Sequence, residues 1–230
     1  MRLLTLNMNM FNYQFDNSFY DYIDKINPDL TIIQEARFNR LCDKNYPIIY
    51  PKGYDQSTID SRIHLTIALS KKDWIRDNDV DFGRCNYSHI GLKNNNLTLL
   101  GVHTPNIEDN IKMNYFFKKY NTDIVCGDFN ASSKKKESLN YKLYQQLINN
   151  GYCNLWEKGL SNNMAYYYNY EGIKLKADKS KFFRTYSGNT HIDYVLAKNT
   201  IKINEVAIDY RTLAFTDHCS IIVDIEKIND

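Results

Sequence analysis

Within its first 35 residues the chain passes through a strand-length apolar run, a segment with helical periodicity and a second apolar run. Arg2-Leu3-Leu4-Thr5-Leu6-Asn7 reads as a short buried strand closed by a polar residue. Phe19, Tyr22, Ile23 and Ile26 fall on one face of a helix predicted over Asp16 to Ile26, and Asn27-Pro28-Asp29 stops it. Leu30-Thr31-Ile32-Ile33-Gln34-Glu35 is the second strand. Two strands joined through a helix are expected to pair in parallel, because a tight hairpin cannot connect them.

The same alternation continues along the chain. Strands are predicted at His64 to Ser70, Leu97 to His103, Asp123 to Asp128, His191 to Ala197, Ile201 to Ile208 and Cys219 to Ile225. Helices are predicted over Glu108 to Tyr120 and around Leu139, Leu143 and Leu147. Mixed strands and helices with short connections give α/β layers. A chain of 230 residues with 43% hydrophobic and 24% charged residues can bury a substantial core and is not disordered. No repeat or Pro-rich linker divides it, so a single domain over residues 1–230 is expected. The apolar runs are too short to span a bilayer, and no stable membrane association is expected. The opening residues carry no secretion signal, and five cysteines without a CxxC pair suit a reducing, cytoplasmic location.

The net charge of +2 conceals an asymmetry. Residues 132–186 hold ten basic and four acidic side chains, a net of +6, which leaves −4 on the rest. Clustered Lys and Arg suit a polyanionic partner, and a lysine-rich solvated loop is the plainer alternative. Inside this segment Tyr166-Tyr167-Tyr168-Asn169-Tyr170 could stack bases, with a purely compositional origin as the preferred reading. Enrichment of Tyr, Asn, Ile and Lys also follows from an AT-rich coding sequence.

More specific is where polar residues fall. Asn7, Glu35 and His103 each end a predicted strand; Asp128 and Asn130 follow another; Asp193 lies within one; and Asp217-His218 precede the last. Ligands in open α/β sheets bind beyond strand ends, where such side chains converge. Any one of them is ordinary as a turn residue or helix cap. Together they form the acid, amide and imidazole set that metal-assisted phosphate chemistry requires.

The motifs Leu4-Thr5-Leu6-Asn7, Ile33-Gln34-Glu35-Ala36-Arg37, Gly101-Val102-His103-Thr104, Gly127-Asp128-Phe129-Asn130-Ala131, His191-Ile192-Asp193-Tyr194 and Thr216-Asp217-His218 occur in this order. In this the chain resembles the endonuclease/exonuclease/phosphatase superfamily, to which DNase I and the apurinic/apyrimidinic endonucleases belong. The resemblance spans residues 4 to 218. It implies a four-layer α/β sandwich with two central mixed β-sheets flanked by helices.

It also implies roles. Glu35, Asn7 and Asp217 would hold a metal, Mg²⁺ first and Mn²⁺ as the alternative, since a hard cation takes oxygen ligands and leaves places for water and phosphate. Asp128 would orient or deprotonate the attacking water, with Asn130 holding the aspartate and the phosphate. His218 would face the scissile phosphate, its tautomer and charge set by Asp193. His103 stands where DNase-like members carry a second histidine. The glutamate that pairs with it in that group has no counterpart in Asp60-Ser61-Arg62-Ile63-His64-Leu65. Met8-Asn9 departs from the pattern of the abasic-site enzymes. Arg37 is an expected contact to the nucleic-acid backbone, and Lys134, Lys135 and Lys136 are expected at the rim of the site.

The function expected is therefore a Mg²⁺-dependent phosphodiesterase hydrolysing DNA or RNA by in-line water attack. The alternative keeps the chemistry and changes the substrate to a small phosphate ester, such as an inositol phosphate or lipid headgroup. A binding module with a dead site is disfavoured, because every expected catalytic position holds a competent residue type.

Overall fold

A computed structural model describes residues 1–9, 17–37, 46–55, 64–71, 73–104 and 121–228. The helix predicted over Glu108 to Tyr120 lies outside these residues. Strands β1 (Arg2–Asn7) and β2 (Leu30–Ala36) pair in parallel through helix α1 (Asn17–Ile26), as the opening segment requires.

The following strands are β3 (Ile48–Ile49), β4 (Leu65–Ser70), β5 (Ile75–Arg76), β6 (His89–Lys93), β7 (Thr98–His103) and β8 (Ile124–Asp128). Helix α2 (Leu139–Asn149), β9 (Tyr152–Asn154) and α3 (Leu155–Ser161) come next. The chain closes with β10 (Ala165–Tyr168), β11 (Lys174–Lys176), β12 (Asp193–Lys198), β13 (Ile201–Asp209) and β14 (Ser220–Lys227).

These strands form two mixed sheets. One has eight strands in the order β11-β10-β13-β14-β1-β2-β4-β3, and the other six in the order β5-β6-β7-β8-β12-β9. Side chains alternate across a strand, and the alternation sorts the core. Leu3, Leu30, Ile32, Leu99, Ile124, Cys126, Val195 and Val223 meet between the sheets. Leu4, Leu6 and Ile33 face outward onto Phe19, Tyr22 and Ile23 around α1. Leu100, Val102 and Val125 face the other way, onto Leu143 and Leu147 of α2. Helix, sheet, sheet, helix is the four-layer sandwich that the motif order implied.

The sheets approach closely where side chains are absent. A Cβ on Gly101 of β7 would stand 2.7 Å from Ile32 Cγ2 of the facing sheet. Within one sheet, Gly127 of β8 has φ +137°, and a Cβ there would lie 2.0 Å from the Val102 carbonyl oxygen. Only glycine fits that contact. No helix among the described residues is long and apolar enough to cross a membrane.

Candidate active site

The inner faces of the two sheets run out of apolar residues at one end of the sandwich. On β7, Leu99 and Gly101 lead to His103; on β8, Ile124 and Cys126 lead to Asp128; on β12, Ala197 and Val195 lead back to Asp193. Registration puts the three side by side, with His103 opposite Asp128 and Asp193 opposite Asp128. The same alternation on β1 carries Leu3 and Thr5 to Asn7, which faces this row from the other sheet. Four separate stretches of sequence thereby converge for reasons of period and register alone.

Asp193 holds His218, which stands two residues before β14. His218 Nδ1 donates to both Asp193 oxygens, at 3.0 and 3.2 Å, and both residues are buried. Burial alone would lower the imidazole pKa, but Asp193, then Asp128 and Asp217, outweigh it and push it up to about 9. Asp193 is itself fixed by its backbone N–H, which donates to Thr185 Oγ1 at 3.1 Å. The Tyr186 ring leans on His218 with centroids 4.9 Å apart.

Asn7 joins the two sheets. Its Nδ2 donates to Glu35 Oε1 and to Asp128 Oδ2, each at 3.0 Å. The other Asp128 oxygen accepts the Asn130 backbone N–H at 2.7 Å across a turn in which Asn130 has φ +49°. Burial and the neighbouring Asp193 carboxylate raise the Asp128 carboxyl above its ordinary range, with His218 and His103 pulling the other way.

Glu35 reaches the site by breaking the alternation. Leu30, Ile32 and Gln34 point inward on β2, and Gln34 Nε2 donates to Thr5 Oγ1 at 3.0 Å between the sheets. Glu35 would therefore point outward onto the α1 side. Instead its φ is +52°, and the β2–β4 register shifts between Ile33 and Ala36. A glutamate in the left-handed region is uncommon and costs on the order of 1 kcal/mol, and such strain concentrates at functional sites. The turned carboxylate meets two histidines: His103 Nε2 lies 3.3 Å from its Oε1 and His64 Nδ1 3.7 Å from its Oε2. The partner glutamate that the segment before Leu65 lacks is thus supplied to His103 from β2.

Two groups of donors are spaced closely enough to hold a metal ion among the described residues: Glu35 with His103 and Asp128, and Asp128 with Asp193 and His218. Asp217 belongs to neither group. Its Oδ2 accepts the Asn9 side-chain amide at 3.0 Å, and the Asn9 backbone N–H donates to Asn7 Oδ1 at 2.8 Å. Asp217 Oδ1, however, is buried without a hydrogen-bond partner. His218 Nε2 is 3.9 Å from it, and a buried carboxylate oxygen without a hydrogen bond beside a cluster of acidic and amide oxygens fits a divalent cation. The donor set is mainly oxygen, which suits Mg²⁺, while the imidazoles bordering Glu35 also suit Mn²⁺.

The remaining predicted residues surround this centre. Burial lowers the His64 pKa, Glu35 opposes it, and the nearby Arg37 charge adds a smaller lowering. Lys134, Lys135 and Lys136 are exposed at the short turn after Asn130. Lys134 Nζ donates to Asn189 O at 2.7 Å and lies 5.7 Å from the Phe182 ring centroid. The tyrosine cluster is mostly sheet: Tyr166, Tyr167 and Tyr168 form β10 between β11 and β13, and Arg211 lies 4.6 Å from the Tyr168 ring centroid. Tyr170 is the exposed member, at 65%; its ring stacks on Tyr210 with centroids 5.9 Å apart, and its hydroxyl accepts from Arg184 at 2.7 Å. Sequence reasoning missed Asn9, Thr185 and Tyr186 altogether and gave His64 no part in the chemistry. None of these carries a pattern beyond its position.

No protein-family model matches the chain. A DNA-(apurinic or apyrimidinic site) endonuclease from Dictyostelium discoideum is 23% identical over 266 residues, covering 98% of this chain and 71% of its own length. Among solved structures, an AP endonuclease from Archaeoglobus fulgidus superposes with TM-score 0.66 at 14% identity, covering 98% of this chain and 99% of its own. The endonuclease domain of TRAS1, a telomere-specific non-LTR retrotransposon, superposes with TM-score 0.65 at 13% identity, covering 99% of both chains.

Proposed function

We propose that this chain, which has the DNase I-like fold of the endonuclease/exonuclease/phosphatase superfamily, is a divalent-metal-dependent phosphoric ester hydrolase that cuts DNA or RNA. The observation that carries this reading is the pair of groups facing one another across the end of the sandwich, Asn7 with Asp128 and Asp193 with His218. Hydrolysis of a phosphodiester needs an oriented water, a sink for its proton and positive charge at the phosphate oxygens. Asp128, with one oxygen held by the Asn130 N–H, orients the water and takes its proton through the other. His218, kept charged by Asp193, turns its Nε2–H toward the phosphate and donates to a non-bridging or leaving oxygen. Glu35, Asn7 and Asp217 hold the metal, with His103 bracing Glu35. Bound Mg²⁺, or Mn²⁺ in its place, supplies charge against the phosphate oxygens and eases departure of the leaving group.

Arg37 and Lys134 to Lys136 grip the polynucleotide backbone. The relatives support a nucleic-acid substrate, since those named above are endonucleases. The cysteines among the described residues are all free, which suits action in the cytoplasm.

The test is metal-dependent cleavage of a labelled panel: single- and double-stranded DNA, RNA, an abasic-site duplex and small phosphate esters, each with Asp128→Asn and His218→Ala alongside. Polynucleotide cleavage lost in both variants is the expected result. Turnover confined to the small esters would overturn the nuclease reading while keeping the site.

A further inference from the structure

Behind the catalytic row, on the α2 face of the six-stranded sheet, lies a cavity of about 360 Å³ that the reaction above does not use. Its walls are aromatic, with Tyr141 and Tyr144 of α2, Trp156 of α3, Phe183 and Tyr194. The rings brace one another, Tyr144 against Tyr194 at 4.6 Å and Trp156 against Phe183 at 5.2 Å between centroids. Ser133, Gln145, Asn154, Glu157, Lys181 and His191 add polar groups to the lining. His191 gives its Nδ1–H to the Phe183 carbonyl at 2.9 Å, which leaves Nε2 as an acceptor, and Nε2 is buried with no hydrogen-bond partner. Glu157 offers a second acceptor and Lys181 a cation.

A buried acceptor left unpaired inside an aromatic cavity calls for a flat ligand that brings an N–H donor. A lysine in the same lining calls for an anionic tail. We infer that this cavity is a nucleotide-binding site: a nucleobase stacks among Tyr144, Trp156 and Phe183, gives an N–H to His191 Nε2, and sets its phosphate against Lys181. Base–aromatic stacking is sequence-tolerant, because every base has a π-face. Burial holds the His191 ring pKa down at about 4, so at neutral pH the ring accepts a hydrogen bond. The cavity adjoins both catalytic loops, through Ser133 after Asn130 and His191 before Asp193. The nucleotide is therefore either free or a unit of a bound strand, and the inference stands whether or not the chain hydrolyses phosphodiesters.

The experiment titrates the full chain, in EDTA so that no metal-held phosphate contributes, with 2-aminopurine riboside 5′-monophosphate, reading probe and tryptophan fluorescence. Saturable binding with Kd below about 1 mM is expected. It should weaken at least about tenfold in His191→Phe and in Lys181→Ala, the second being a solvent-facing change that leaves the fold intact. Ordinary purine nucleotides should displace the probe and ribose 5-phosphate should not. Displacement by a short single-stranded oligonucleotide at lower concentration than by mononucleotides assigns the site to a strand; the reverse order assigns it to free nucleotide. The inference is overturned by an absence of saturable binding, by binding that both variants leave unchanged, or by equal displacement with ribose 5-phosphate.

Discussion

His103 Nε2 lies 3.3 Å from Glu35 Oε1, the oxygen that also takes an amide proton from Asn7. One carboxylate oxygen is thus aimed from two strands of opposite sheets. Replacing His103 with Phe should lower metal affinity by about 10–100-fold, as loss of a ligand-orienting partner does. Calorimetric titration of the chain with Mn²⁺ measures it directly, and unchanged affinity would remove His103 from the metal centre.

Glu35 itself is strained, with φ +52° in a strand whose neighbours alternate regularly. Asparagine tolerates that conformation better. Glu35→Asn should therefore melt within a few degrees of the native chain, while metal-dependent turnover falls by at least about 100-fold. A large loss of stability would mean that the carboxylate is chiefly structural.

The Asp193–His218 pair predicts a pH profile. Asp193 keeps His218 protonated up to about pH 9, and the protonated form is the one that serves the phosphate. Activity should fall as pH rises through that value. In Asp193→Asn the largest raising influence is gone while burial, Asp128 and Asp217 remain, so the falling limb should move to lower pH. Initial rates across pH on one substrate decide it, and a limb that stays in place would separate His218 from Asp193.

Stability should respond to pH from both sides in metal-free protein. His218, raised to about 9, stabilises fully below pH ~6.5, and that contribution is lost as pH rises through 9. His191, lowered to about 4, works in the opposite direction: its contribution is present above pH ~6.5 and is lost as pH falls toward 4. Each arm amounts to a few kcal/mol at about 1.4 kcal/mol per pKa unit. Thermal melting should peak between the two arms, and His191→Phe should flatten the acid side alone.

Gly127→Ala tests the strand contact under the catalytic aspartate. A methyl group there would stand 2.0 Å from the Val102 carbonyl oxygen, at φ +137°. A loss of more than about 3 kcal/mol is expected by denaturant unfolding, since neither backbone can yield without moving His103 or Asp128.

What the sequence revealed and what it hid follow from range. Period-two alternation on β1, β7, β8 and β12 was legible, because each strand carries its own pattern, and it brought Asn7, His103, Asp128 and Asp193 to the strand ends where they stand. Glu35 and His218 were also legible as polar residues beside strand ends, and resemblance then supplied the roles. The bulge that turns Glu35 inward was not legible, because it belongs to the β2–β4 register and to no residue type. His64, Asn9 and Thr185 act through partners 29, 208 and 8 residues away, distances at which a single sequence carries no signal. Tyr166 to Tyr168 misled because a strand near a sheet edge, half-buried on both faces, does not alternate.

One side chain, Asn7, hydrogen-bonds at once to a residue of its own sheet and to a residue of the facing sheet. It therefore acts as a gauge of how the two sheets are seated on each other. A sideways slip of 1 Å, roughly the tolerance of a hydrogen bond, breaks one of its two contacts while the apolar layer between the sheets barely registers the change. Substitutions deep in that layer, such as Ile32→Val opposite Gly101, should then erode turnover well before they erode folding. The chain would stop working while it still looks native.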